Sequence, residues 1–242
     1  MDKKNYIIKD DIDLIKSNKL LFHAYKIKFD LIKKYIGKKN ILEIGSGSGI
    51  AKYFLKNIKT SDLRKNQNID FVYNAHIDKL KKKDCIFMVD VFHHLHRPNL
   101  VIKNLKKYLK KEGKIIIFEP YVSPMSFIFY LITSFAGPKE KMGLFKKIDL
   151  SIKTTGLKKK FDFVMQPQKF FGSKNNKKDV VEIFYIAEYF FIFTGGIHFH
   201  RLQKFIPNFV YIFLQKIDDV LNKSKNSIIK KFFATKILIV IE

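Results

Sequence analysis

The chain has 242 residues, 47% of them hydrophobic and 29% charged, which is enough apolar material for one sizeable core and excludes a disordered protein or a disulfide-stapled miniprotein. Cys85 is the only cysteine, so an internal disulfide and cysteine-built zinc or iron–sulfur sites are excluded, and a reducing compartment is expected. The net charge of +25 suggests nucleic acid or an anionic membrane. Yet all the basic residues except Arg64, Arg97 and Arg201 are lysine, and arginine is the residue that reads guanine edges and clamps phosphate. No specific nucleic-acid partner is therefore expected.

The start, MDKKNYIIKDDIDLIK, lacks the apolar core and small-residue cleavage site of a secretory signal. Residues 19–36 place Leu20, Leu21, Tyr25, Phe29, Ile32 and Tyr35 largely on one stripe, an amphipathic helix running to Gly37. ILEI (41–44) is too short for a helix and ends in glycines, as a buried parallel strand does. A helix is expected from Ile50, strands at 58–63, 70–73 and 85–91, a helix over 99–111, and a further buried strand at 114–120. Strand and helix in alternation through residue 120 imply βαβ units and a doubly wound, mostly parallel Rossmann-like α/β sheet.

Beyond residue 120 the pattern is less regular. A helix is expected over 123–135, an exposed loop at 172–179, an aromatic-rich run over 184–193, a helix from Phe205 to Leu221 and a last strand at 236–242. No linker divides the chain. The expectation is a single domain, 1–242, with an N-terminal helical segment (1–37), a cofactor-binding core (38–120), an acceptor-side cap with helices (121–235) and a final strand. The uncharged stretch Tyr121–Gly137 has 17 residues including Pro124, short of the roughly 20 apolar residues a spanning helix needs. A cytoplasmic protein without a membrane span is expected. The aromatic runs and the lysines could line an apolar pocket or rest on the inner face of a membrane.

The chemistry is concentrated in Glu43-Ile44-Gly45-Ser46-Gly47-Ser48-Gly49. A strand running into a glycine turn and then a helix exposes backbone amides to a ligand. The dinucleotide fingerprint G-x-G-x-x-G fails, because its third glycine would fall at Ile50. The acid at Glu43 would repel a pyrophosphate but suits a ligand carrying an ammonium and a sulfonium.

From this segment on, the sequence resembles the class I S-adenosylmethionine-dependent methyltransferases. ILEIGSGSGI resembles their first motif, TSDL (60–63) the end of their second strand, Tyr73-Asn74-Ala75-His76 the third-strand motif, DCIFMVDVFHHL (84–95) the fourth, and LKKEGKIIIFEP (109–120) the following helix-to-strand element. The resemblance covers about 38–121, with the motifs in order. It implies S-adenosylmethionine as cofactor, held by Glu43, Gly45, Ser46, Gly47, Gly49, Asp62 (ribose hydroxyls), Asn74 and Ala75 (adenine edge) and Asp90. The sequence departs from the family at Lys111-Glu112, where Pro-Gly is usual, at Asn74 for a commoner Asp, and at Lys83 for phenylalanine. Methyl transfer to a small-molecule, lipid or glycan-type acceptor is the expected function. A dinucleotide-dependent oxidoreductase and a non-catalytic cofactor-binding subunit are the alternatives.

Methyl transfer from a sulfonium needs alignment more than a strong base, so catalytic residues are less legible than the cofactor site. His93, Glu119 and Tyr121, at the ends of the fourth and fifth strands, are the candidates expected to face the transferring methyl, because ligands bind beyond the carboxyl ends of such strands. His198-x-His200 has metal-ligand spacing but no third ligand at a telling distance, and no metal is expected.

Overall fold

The computed structural model describes residues 9–37, 39–95, 97–128, 170–171 and 177–242. Helices α1 (Lys9–Ser17) and α2 (Lys19–Ile36) come first. The core then runs β1 (Ile41–Ile44), a one-turn α3 (Ala51–Phe54), β2 (Ile58–Asp62), β3 (Phe71–Val72), β4 (Lys83–Val89), α4 (Pro98–Lys106) and β5 (Leu109–Pro120). After it come β6 (Val180–Ile186), α5 (Tyr189–Phe193), α6 (Gly196–Phe199), α7 (Asn208–Lys223), α8 (Ser227–Phe233) and β7 (Lys236–Ile241).

The seven strands form one sheet in the order β3-β2-β1-β4-β5-β7-β6. β1 to β5 pair in parallel, and β7 lies antiparallel between β5 and β6. The expected mostly parallel, doubly wound architecture is therefore present. The period of two along each strand sends alternate side chains to opposite layers. Leu42, Ile44, Ile86, Met88, Ile115 and Ile117 pack on the side of α4, whereas Ile41, Cys85, Phe87, Ile116 and Phe118 pack on the side of α2. A third cluster joins Ala24 of α2 to Tyr189, Phe190, Tyr211 and Leu214, tying the C-terminal helices to the N-terminal one.

Several elements differ from the sequence reading. The helix expected to Lys111 stops at Lys106, and β5 begins at Leu109 because Leu109 is buried and registers with Lys83. The stretch taken as cap contains a sheet strand, β6, so the aromatic run at 184–193 is divided at Ala187-Glu188 between a strand and a helix. Helix α1 lies within the helical segment expected over 1–37, whereas α8 has no separate expectation; it is started by Asn226, whose side chain accepts from the amides of Ile228 and Ile229. Residues 124–128 are helical. The remainder of the helix expected over 123–135, most of the uncharged stretch 121–137 and residues 172–176 of the expected loop lie outside the described residues.

Candidate active site

The glycine turn after β1 is laced to β2. Ser46 N–H donates to the Ser61 carbonyl (2.9 Å), Ser61 N–H donates to Ser46 Oγ (3.1 Å), and Ser61 Oγ donates to the Glu43 carbonyl (2.9 Å). Gly45 (φ +72°) is required twice over: its backbone is left-handed, and a Cβ there would lie 2.5 Å from a Val91 methyl. The turn therefore rests directly on the loop that follows β4. Gly47 (φ +52°) has open space where its Cβ would be, and its N–H donates to Asp62 Oδ2 (2.9 Å) at the end of β2. Asp62 Oδ1 accepts from Arg64 N–H, and the carboxylate stays half exposed, with lone pairs left for a ligand.

Glu43 is buried at 4% exposure, and its Oε2 has no hydrogen-bond partner among the described residues. Burial pushes its carboxyl up to about 7, Asp62 adds to the rise, and the Ser46 hydroxyl opposes it. At the end of β3, Asn74 N–H donates to Asp78, Asn74 Oδ1 accepts from His76 N–H, and the Ala75 carbonyl accepts from Asn104 of α4. That fixes the Asn74–Ala75 backbone on the same side of the sheet ends as Asp62.

The second half of the site follows β4. Asp90 has left-handed backbone (φ +56°), a conformation costing a non-glycine residue roughly 1 kcal/mol, and its carboxylate is gripped by two lysines. Lys236 Nζ, at the start of β7, bonds to Oδ1, and Lys28 Nζ of α2 lies 3.8 Å from Oδ2. Both cations hold the Asp90 carboxyl well below the usual range despite its partial burial. Lys28 is itself buried, 3.7 Å from Glu188 and 3.5 Å above the Phe191 ring.

Three residues on, His93 Nδ1 sits 2.5 Å from Glu119 Oε2. The other oxygen of Glu119 accepts from the amides of Val91 (2.6 Å) and Phe92 (2.5 Å). One carboxylate thus holds both the loop and the ring. Because its oxygens act as acceptors, Nδ1 is assigned as the donor, which leaves the lone pair of the imidazole on Nε2. His94 packs against the His93 ring, 3.9 Å between centroids.

The expected cofactor residues Glu43 to Gly49 and Asp62 come together around the glycine turn, and Gly45 joins them to the Asp90–His93 loop. Glu119 lies beside His93, as the sequence placed it, but inside the protein. It is at 0% exposure, and its carboxylate is surrounded by the Val91 and Phe92 amides and the His93 ring. Tyr121 is half-buried and its ring packs edge-on against Tyr185 of β6 (5.1 Å), with no contact to His93 among those described. His200 Nδ1 lies 2.9 Å from the Ile197 carbonyl, and the side chain of His198 lies outside those described. Among the described residues no group of three or more His, Cys, Asp or Glu could hold a metal. Sequence reasoning missed Lys28, Glu188 and Lys236, since nothing local marks a lysine whose partner is 146 positions away.

A family model described as "Methyltransferase domain" matches residues 21–146, more than half of the chain. The chain belongs to the methyltransferase-domain family. It is a class I S-adenosylmethionine-dependent methyltransferase, and the dinucleotide-oxidoreductase alternative falls. None of the curated proteins matches the sequence significantly.

Among solved structures, this methyltransferase is similar to the plantazolicin methyltransferase BpumL in complex with SAH (14% identity, all of this chain and 91% of that one, TM-score 0.49). It is also similar to a SAM-dependent methyltransferase from Archaeoglobus fulgidus (14%, 90% and 93%, TM-score 0.44). A third, from Clostridium acetobutylicum ATCC 824, has 16% identity and TM-score 0.32 over 40% of this chain, which spans about half (49%) of its length. Among the described residues no helix is long and apolar enough to cross a membrane.

The residues present fit S-adenosylmethionine. Glu43 offers a buried, unpartnered carboxyl oxygen, Asp62 has lone pairs to spare, and Gly47 leaves open space beside them. The same burial has a consequence for the protein alone. Glu43 and Asp218 both titrate near 7 when folded, against ordinary values of 4.5 and 3.8. Burial raises Asp218 despite its bonds from the Tyr189 and Phe190 amides. Between those limits the native form binds more protons than the unfolded form, so stability falls as pH rises. The melting temperature of the ligand-free enzyme should decline from pH 5 to pH 7.5, and the decline should shrink in Asp218→Asn; a flat profile would contradict this.

Proposed function

We propose that this methyltransferase moves the methyl group of S-adenosylmethionine onto a hydroxyl oxygen of a small-molecule, lipid or glycan-type acceptor, with His93 as the base. The observation that carries this reading is the His93–Glu119 contact. A buried carboxylate that fixes a histidine ring at a strand end is the arrangement a proton acceptor needs, and a purely packed ring does not require it.

When bound, the cofactor supplies an electrophilic methyl on a sulfonium and leaves as the neutral thioether. Asp62 would hold its ribose hydroxyls, Glu43 its cationic end, and the Asn74–Ala75 segment its adenine edge. Glu119 keeps His93 in the tautomer whose Nε2 carries the lone pair. That nitrogen takes the proton of the acceptor hydroxyl as the oxygen gains the methyl, and passes the proton to solvent afterwards. The Lys28–Asp90–Lys236 clamp holds the left-handed turn on which His93 stands.

Calorimetric titration with S-adenosylhomocysteine tests the cofactor half. Asp62→Ala should weaken binding by about 1.5–3 kcal/mol, the cost of losing hydrogen bonds to a charged acceptor. A ligand carrying an ammonium favours ionised Glu43, so affinity should rise with pH up to about 7, by at most roughly tenfold per unit for one linked proton, and level off above. Glu43→Gln should abolish that slope. Label transfer from methyl-labelled cofactor into cell extract, fractionated into polar metabolites, lipids and glycans, tests the acceptor half. A labelled protein or nucleic acid as sole product would overturn it.

A further inference from the structure

Helix α7 is apolar on two opposite faces. Inward, Tyr211 and Leu214 are buried, and Asp218 accepts from the Tyr189 and Phe190 amides at the start of α5. Outward, Phe209, Ile212, Phe213 and Val220 recur at spacings of three, four and seven, which places them on one stripe. They are 72%, 58%, 60% and 70% exposed. Phe205, just ahead of the helix, is 81% exposed, and Ile228 of the adjoining α8 is 75% exposed. Single exposed apolar residues are ordinary, but a row of them along one helix with a neighbour beside it is an interaction surface.

The charges around the stripe identify the partner. Residues 200–235 contain Arg201, Lys204, Lys216, Lys223, Lys225, Lys230 and Lys231, and the acids Asp218 and Asp219, of which Asp218 faces inward and Lys231 lies over the Tyr185 ring, leaving six cations against one outward acid. Lys216 lies within the stripe itself and Lys223 at its end. We propose that the α7–α8 face docks on an anionic lipid bilayer, the phenylalanines and aliphatic residues entering the interface while the lysines meet the headgroups. This stands on the surface alone and not on the assignment of His93 or of the acceptor.

Charge complementarity excludes the nearest competitor. A second copy would bring the same lysine-rimmed face against itself, at like charge. Single-stranded RNA would use the aromatic rings and lysines, but Ile212, Val220 and Ile228 have no π face on which a base could stack. A bilayer takes up aliphatic and aromatic side chains alike.

The full chain should be sedimented with vesicles of phosphatidylcholine, with and without phosphatidylglycerol. It should pellet only with the anionic vesicles, and less as salt rises. Phe209→Ser with Phe213→Ser should cut partitioning at least about tenfold, and Lys216→Gln with Lys223→Gln by a similar factor. Both variants should keep wild-type affinity for S-adenosylhomocysteine, which shows that they are folded. Failure of the wild type to pellet with anionic vesicles, or variants that pellet as well as it does, would overturn the proposal. So would a concentration-dependent dimer, or RNA retention without vesicle binding, that is lost in the phenylalanine variant.

Discussion

His93→Asn should lower kcat about 10²–10⁴-fold, the range a positioned proton acceptor contributes, while leaving the dissociation constant of S-adenosylhomocysteine within a factor of two or so. Glu119→Gln is the sharper test. Its carbonyl oxygen can still accept from the Val91 and Phe92 amides, so the loop is kept. Its amide now donates where the carboxylate accepted from His93 Nδ1, which fixes the opposite tautomer and turns an N–H toward the acceptor. Turnover should fall nearly as far as in His93→Asn, and the double variant should be little worse than either single one, since the two residues act as a unit. Full activity in Glu119→Gln would remove the base assignment and leave a structural contact.

Lys28→Met should cost about 3–5 kcal/mol of stability, the usual consequence of removing one partner from a buried ion cluster. For a chain of this size that is roughly 6–20 °C in melting temperature. Lys28 is 2% exposed and Glu188 7%, so neither can turn to water when the other is lost. Burial lowers the Lys28 ammonium and raises the Glu188 carboxyl, while their mutual attraction opposes both shifts. The charges are thus tolerated as a set. Adding Glu188→Gln to Lys28→Met should restore a good part of the loss, because the second change removes the stranded carboxylate. Equilibrium denaturation of the two single variants and the double variant reads this directly. Additive losses would show that Lys28 and Glu188 do not support one another.

The half of the fold built from local alternation was legible in the sequence. ILEI, CIFMVDV and KIIIFEP are apolar runs too short for helices and punctuated by glycine or charge; the first and third lie in strands, and the second does so as far as Val89, where the left-handed Asp90 ends β4 two residues short of the expected Val91. Val180–Ile186 was missed because an edge strand is only partly buried. Its Val181 and Ile183 are half exposed, and it runs into Tyr189–Phe193 without a glycine or proline to mark the break. The glycine turn and Asp62 could be read because they lie close in sequence and their chemistry is in their spacing. Glu119 was singled out by position alone, and its burial was not legible. Strand position indicates which end of the sheet a carboxylate occupies, not whether three donors will surround it. The lysine clamp on Asp90 is beyond any local pattern, since Lys28 comes from α2 and Lys236 from the start of β7, while Glu188, the further partner of Lys28, is the residue before α5.

That clamp ties the timing of assembly to the chemistry. β7 enters the sheet between β5 and β6, and Lys236 at its first position grips Asp90 across 146 residues of chain. Closing so long a loop carries an entropic penalty that must be met before the contact returns anything, and topologies rich in such contacts fold slowly. A nascent or partly folded chain can form β1 to β5 and the glycine turn from contacts within the first half, yet it still has no lysine at Asp90 from the β7 side. The turn carrying His93 reaches its final geometry only when β7 seats. During refolding, recovery of turnover should therefore lag behind recovery of helix and sheet signal and coincide with the burial of residues 236–241.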